Sequence, residues 1–466
     1  MSRLSAAFVR LATILVAVLC VFCASLRPGS AAVVSRFNTI AKGASITHAG
    51  NTLGLSPTPA KNPEDDIGAL ITTNTALQVP GYPAGTTTNW TQDSSTATLN
   101  LPPGATILYA ELEWAYTSVS STGLVPTPAA AVTQPVTLSG PGGTAIVSPD
   151  PATLADTRDP GDARRVYSTR SAIVTGLIAA GPSGQYTVGA VPAIIDPADS
   201  GTAAGWSLIV VYGNPLIGTL RDVDLFVGSS VVGASANGPV VQLSGFKVPT
   251  AGPVSAHISI STLEGDPNKA GDQFRFAGGN APIPALSAAN ALSGPNNQVG
   301  NFFASQINYG NPPDPGLGGA PSGTLDPLGT FGALNQPVGS IATARRQGWD
   351  VTNVDASAQL RNGNTNAAFQ GTTTGDAYVI TVTGIQIDVF QPALQITKTS
   401  NGPWVPGQTA PPPSYNLNVT NAGSAPTVGT STVLDQLPVG ITANTAAPPS
   451  ARRKRAGAVR SAQRNS

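Results

Sequence analysis

The sequence predicts an all-β protein: a large β-sandwich or jelly-roll-like head, followed by a smaller, incomplete sandwich. Three observations point there. Apolar residues recur with a period of two in segment after segment, as on a strand with one buried face. The 466 residues include 51 glycines and 42 prolines, a fifth of the chain, and only 10% are charged. Ordinary domains carry about 25% charged residues and about 12% Gly plus Pro. No stretch of 12 or more residues carries a helical stripe. With 41% hydrophobic residues the chain is too apolar to be disordered throughout.

The first 32 residues read as a secretory signal. Arg3 and Arg10 precede the apolar run Leu11–Leu26, and the small residues G-S-A-A end at Ala32, a cleavage point. That run of 16 is short for a bilayer span of about 20 residues. Cys20 and Cys23 both lie within it, so the mature chain has no thiol and must be held by core burial alone. No later segment is long and apolar enough to span a membrane, so no span is expected in the mature chain.

The head, 33–390, is expected to form one large or two smaller sandwiches. In A-T-I-L-Y-A-E-L-E-W-A-Y, Leu108, Ala110, Leu112, Trp114 and Tyr116 share one strand face and Glu111 and Glu113 the other. Trp206–Tyr212 is apolar on both faces and reads as a central, doubly covered strand. After the turn-like G-N-P-L-I-G-T, Val223, Leu225 and Val227 share a face. From Tyr378 to Phe390 the apolar phase flips, with a bulge expected at Gly384. Short helical patterns occur only near Asp355–Arg361 and Ala285–Leu292, and the Gly/Pro/Asn-rich stretch 278–340 reads as long surface loops.

A boundary falls at Gln391-Pro392. Beyond it Tyr415, Leu417 and Val419 alternate with polar residues before the turn Asn421-Ala-Gly, like the opening strands of an immunoglobulin-like β-sandwich. Such a sandwich needs about 100 residues, whereas 391–450 supplies only part of one. The last segment, 451–466, is a basic tail with six Lys or Arg and no acid. The body between leader and tail holds 15 basic against 24 acidic side chains. A body of that sign excludes nucleic acid and anionic membranes as partners, since binding them needs basic patches.

The motifs T-K-T-S-N-G-P-W-V-P-G-Q-T, Y-N-L-N-V-T-N-A-G and V-L-D-Q-L-P-V-G-I resemble the conserved-repeat domain, of unknown function, found in tandem on large bacterial surface proteins. The pieces G-N-T-L from Gly50, L-Y-A-E-L-E-W-A from Leu108, A-G-W-S-L-I-V-V-Y from Ala204, G-F-x-x-P from Gly245 and E-G-D…G-D from Glu264 are similar to the N-terminal head of such proteins. The resemblance implies an exported, all-β protein of the bacterial cell surface or extracellular space, structural or adhesive, without catalysis. In some bacterial sandwich domains a first-strand lysine forms an isopeptide crosslink with an Asn on the last strand. Lys398 is the candidate here, although that last strand is missing.

Catalytic signatures are sparse. Two histidines, His48 and His257, and a thiol-free mature chain argue against a Cys/His zinc site, and neither G-x-S-x-G nor H-E-x-x-H occurs. Glu111 and Glu113 are spaced like a glycosidase pair, but alternate residues on one strand read better as a solvated face. The loop E-G-D-P-N-K-A-G-D offers Glu264, Asp266, Asp272 and the Asn268 carbonyl. It is either an ordinary acidic turn or a calcium loop, calcium taking six to eight oxygen ligands. Glu64, Asp65 and Asp66 form a weaker second candidate. The expected partner is an extracellular protein or glycan. The alternative function is a carbohydrate-binding surface module using Trp90, Trp349 and Trp404 in loop-like sequence.

Overall fold

A computed structural model describes residues 33–427, apart from 59–66, 124–125, 197, 283, 312–313 and 315–316, together with 431–435 and 437. The leader, the Glu64–Asp66 candidate and the basic tail lie outside the described residues.

Four antiparallel sheets stack as layers, two sandwiches joined through their inner sheets. The first inner sheet runs Ala155–Arg158, Val166–Ile173, Thr106–Val119, Ala204–Gly213, Ala44–Thr52. Its outer partner runs Ser94–Leu99, Gly184–Gly189, Val136–Gly140, Gly143–Val147. The second inner sheet runs Val34–Lys42, Leu220–Gly233, Ala377–Asp388, Ala256–Leu263, Trp349–Asp355, and is covered by Val241–Ser244, Asn366–Thr372 and Gln273–Gly279. Successive strands alternate between inner and outer sheet throughout the second half; the first half alternates too, apart from one hairpin within each of its sheets, Val136–Gly140 with Gly143–Val147 and Ala155–Arg158 with Val166–Ile173. The all-β sandwich class expected from the period-two patterning is what the chain adopts.

The central strands of the inner sheets serve a different core with each face. On Thr106–Val119, Ala110, Leu112, Trp114 and Tyr116 pack with Trp206, Leu208 and Val210 against Leu99, Leu138 and Val188 of the outer sheet. The opposite face, with Tyr109, Ile209 and Val211, meets Val223, Leu225, Val227 and Val382 of the second inner sheet. Ala204–Gly213 is thus central and buried throughout except at its last residue, as its two-faced apolar sequence predicts.

The chain passes between inner sheets at two adjacent corners. Gly43, at φ 84°, takes it from Lys42 to Ala44, and a Cβ there would lie 2.5 Å from the Asn214 carbonyl oxygen. The amides of Asn214 and Gly43 donate to Gly43 O and Thr219 O, locking this corner to the 214–219 turn. The first strand of the chain is thereby given to the edge of the second sandwich.

Two expectations need correction. The phase flip in Ala377–Asp388 falls at Thr381, where pairing jumps from Ile380↔Thr262 to Val382↔Ser261, and not at Gly384. Gly384 pairs regularly with Leu225 and Ser259; it is glycine because a Cβ would meet Ile46 Cδ1 at 2.2 Å. Beyond Gly279, where strand Gln273–Gly279 ends, the described residues up to 340 form no further strand, but they are not all surface. Phe302, Phe303 and Ile307 are buried, and the guanidinium of buried Arg346 donates to the carbonyls of Asp326 and Gly332. The two weak helical patterns become single 3-10 turns, Ser357–Gln359 and Ala288–Asn290. The one α-helix described, Thr175–Ala179, had no sequence signal. Among the described residues no helix is long and apolar enough to cross a membrane.

After Asp388 the chain enters an antiparallel hairpin, Leu394–Ser400 with Tyr415–Asn421, whose strands are largely exposed.

Candidate metal centre

The loop beginning at Glu264 leaves the end of strand Ala256–Leu263 at the edge where the two sandwiches meet. Glu264 adopts φ 67°, uncommon for a residue with a side chain, and this turns its carboxylate inward. Asp266 follows, Asp272 closes the loop ahead of strand Gln273–Gly279, and Asp376 arrives from the turn before Ala377–Asp388. Glu264, Asp266 and Asp376 each offer an oxygen within 4.8 Å of the others. None of the four carboxylates is more than 7% exposed.

The surrounding polar groups leave this cluster short of donors. Lys269 Nζ lies 3.6 Å from Asp266 Oδ2 and 3.8 Å from Asp376 Oδ1. Gln347 donates from Nε2 to Asp266 Oδ1 at 3.1 Å, and Asn301 donates from Nδ2 to the carbonyls of Asp266 and Pro267 at 3.0 Å. Still without a hydrogen-bond partner are Glu264 Oε2, Asp266 Oδ2, both Asp272 oxygens, Asp376 Oδ2, Asn301 Oδ1 and Gln347 Oε1. Burial, reinforced by Asp376, pushes Glu264, Asp266 and Asp272 well above the usual carboxylate range; Asp376 is raised by burial and lowered by Lys269. Neighbouring Asp350 accepts from the amides of Ala304, Ser305 and Gln306, yet burial still lifts it to about 7.

A cleft of about 350 Å³ opens beside the cluster, lined by Glu264, Lys269, Asp376 and, across it, Asp159 and Arg165 of the first sandwich. Arg165 bridges Asp159 and Asp199 at 2.5 Å each, so its one charge is shared between two carboxylates.

The ordinary acidic turn of the sequence reading is therefore not what forms: the carboxylates face inward, and only Asn268 of the proposed ligands is exposed. Asp376 was missed because it lies 104 positions beyond Asp272 with no local pattern joining them.

The other candidates fall elsewhere. Glu111 and Glu113 are 0% and 1% exposed between the inner sheets, which overturns the solvated-face reading. Arg36 Nε donates to both Glu111 oxygens at 2.9 and 3.0 Å and Ser171 Oγ donates to one at 2.6 Å, with Tyr109 OH donating as well. Glu113 has no hydrogen-bond partner on either oxygen. Burial raises it well above the usual range, with Glu111 adding to the effect. Trp349 is fully buried in strand Trp349–Asp355 and donates from Nε1 to Ser207, so it presents no face to a sugar. Trp90 and Trp404 are half-buried. His48 is buried, its Nε2 against Asn308 O, and desolvation lowers it to about 4. Lys398 Nζ donates to Asp435 Oδ1 at 2.7 Å and sits 3.8 Å from the Tyr415 ring centroid, an ion pair capped by an aromatic face.

Compared with known proteins, the chain matches no family model, no curated protein and no solved structure.

Proposed function

We propose that this chain is an exported cell-surface or secreted protein of structural or adhesive type, working by presenting surface rather than by catalysis. The observation that supports it most is the stack of four antiparallel layers running directly into a second, exposed β unit. Stacked sheets with interlocked corners make a stiff head, and stiffness without disulfides is what an exported chain lacking mature cysteines needs. The ionic clamp of Arg36 on Glu111 and Asp150, joining the inner sheets, adds to it. Recognition of an extracellular protein or glycan belongs in this reading to the long segment 280–345, where Arg346 fastens the carbonyls of Asp326 and Gly332.

The test is where the protein resides and where its chain starts. Fractionation of the native host with N-terminal sequencing is expected to find it outside the cytoplasm, starting at Val33. Recovery solely from the cytoplasm with residues 1–32 intact would overturn the reading.

A further inference from the structure

We propose that Glu264, Asp266, Asp272 and Asp376, with the side-chain carbonyls of Gln347 and Asn301, form a calcium-binding site at the base of the cleft between the two sandwiches. The inference is independent of where the protein works.

Charge comes first. Glu264, Asp266 and Asp376 are gathered with Asp272 buried beside them, and among the described residues a single ammonium, Lys269, stands within ion-pair distance of two of them. Like charges held this close and dry repel strongly, and the cluster needs further positive charge in its native setting. Nearby Arg165 is shared with Asp159 and Asp199, so it answers Glu264 only in part.

The second argument is the set of unpaired neutral oxygens. Gln347 and Asn301 are each more than nine-tenths buried. Each spends its amide N–H on the Asp266 loop and keeps its carbonyl oxygen without a partner. A buried carbonyl oxygen left bare is costly. Protons on the carboxylates would relieve the repulsion with a donor or two, yet seven oxygens are without a hydrogen bond. One cation with six to eight oxygen ligands relieves both problems together.

The donor chemistry selects the ion. Carboxylate and amide oxygens, with no histidine or thiol among them, suit a hard cation and not zinc. A mixed carboxylate and carbonyl set drawn from separate loops suits calcium, which tolerates irregular geometry, better than magnesium, which keeps its waters and demands an octahedron. The adjoining cleft gives the ion and its remaining waters a way in. On binding, the cation displaces Lys269 from the carboxylates and ties the 264–272 loop to the turn carrying Asp376, so both strands leaving the site are fixed together.

The experiment uses the purified chain stripped with EDTA. Calorimetric titration with calcium chloride is expected to give a one-site isotherm, in the range of about 10⁻⁴ to 10⁻³ M or tighter. Calcium should raise the melting temperature, and EGTA should reverse the rise. Asp376→Asn removes one charge while keeping shape and should weaken binding at least about ten-fold, the scale of one lost charged ligand. Glu264→Gln, on the other side of the cluster, should do the same if Asp376→Asn does not fold. Neither heat nor melting shift in the wild-type chain would overturn the site. So would either folded variant binding as tightly as wild type, and an equal response to magnesium would overturn the assignment to calcium.

Discussion

Glu113 lies between the inner sheets with neither oxygen hydrogen-bonded, and the Thr381 hydroxyl near it is committed to Ser261 O. Its neighbour Glu111 already holds Arg36, so that guanidinium is not free to answer a second negative charge. Desolvation therefore keeps Glu113 protonated in the folded chain well above its ordinary value of 4.5. Below that value both folded and unfolded chains carry the proton, and stability does not depend on it. Above it the unfolded chain releases the proton and the folded chain retains it. Stability then falls as pH rises, by about 1.4 kcal/mol per pH unit for one proton, until the buried carboxyl also ionises. Glu113→Gln keeps the shape and removes the titration.

The variant and wild type should thus have similar pH slopes near pH 4 and diverge above it. The gap widens in favour of the variant as pH rises, at about 1.4 kcal/mol per pH unit for one proton, until the buried carboxyl itself ionises. Burial also raises Asp93 and Asp222, so the wild-type slope exceeds one proton's worth. Taking the difference between the two proteins cancels those groups, which the variant leaves in place. Guanidinium midpoints measured at intervals across this range supply the assay. Parallel profiles would refute the argument, since they would mean that Glu113 is ionised in the folded protein or reached by water.

Arg36→Met leaves Glu111 buried without its cation and should cost about 3–5 kcal/mol; adding Glu111→Gln should recover most of it, as denaturant titration of the double variant will show. Trp349→Ala should cost about 3–5 kcal/mol by opening a cavity between the inner sheets. Glycan binding lost from that variant while its melting temperature held would contradict the burial. Gly384→Val drives a side chain into Ile46 and should destabilise by about 1–3 kcal/mol, read as a lower thermal midpoint. In all three a change under about 0.5 kcal/mol is the contrary result.

Much of the fold was legible because side-chain alternation is a local property. The faces of Thr106–Val119, the two-faced strand at Ala204–Gly213, the turn at 214–219 and the two short helical patterns could all be placed from neighbouring residues. The thiol-free body and the basic tail were fixed by sequence outright. Half of the candidate site was legible too, since Glu264, Asp266 and Asp272 share one loop.

Period two says which residues share a face, not what that face packs against. Glu111 and Glu113 looked solvated because a half-polar strand ordinarily turns its polar side to water. Here a second sheet covers that side, and Arg36, 75 positions away, answers one of the two charges. Likewise Asp376 joins the acidic loop only because the strand before it and the strand after it bring its turn to the loop's edge. The amino-acid order settled strands, faces and the covalent inventory, which depend on neighbours a few bonds apart. The opposing layers, the buried charges and the gathering of four carboxylates depend on long-range pairing, and tertiary structure alone decided them.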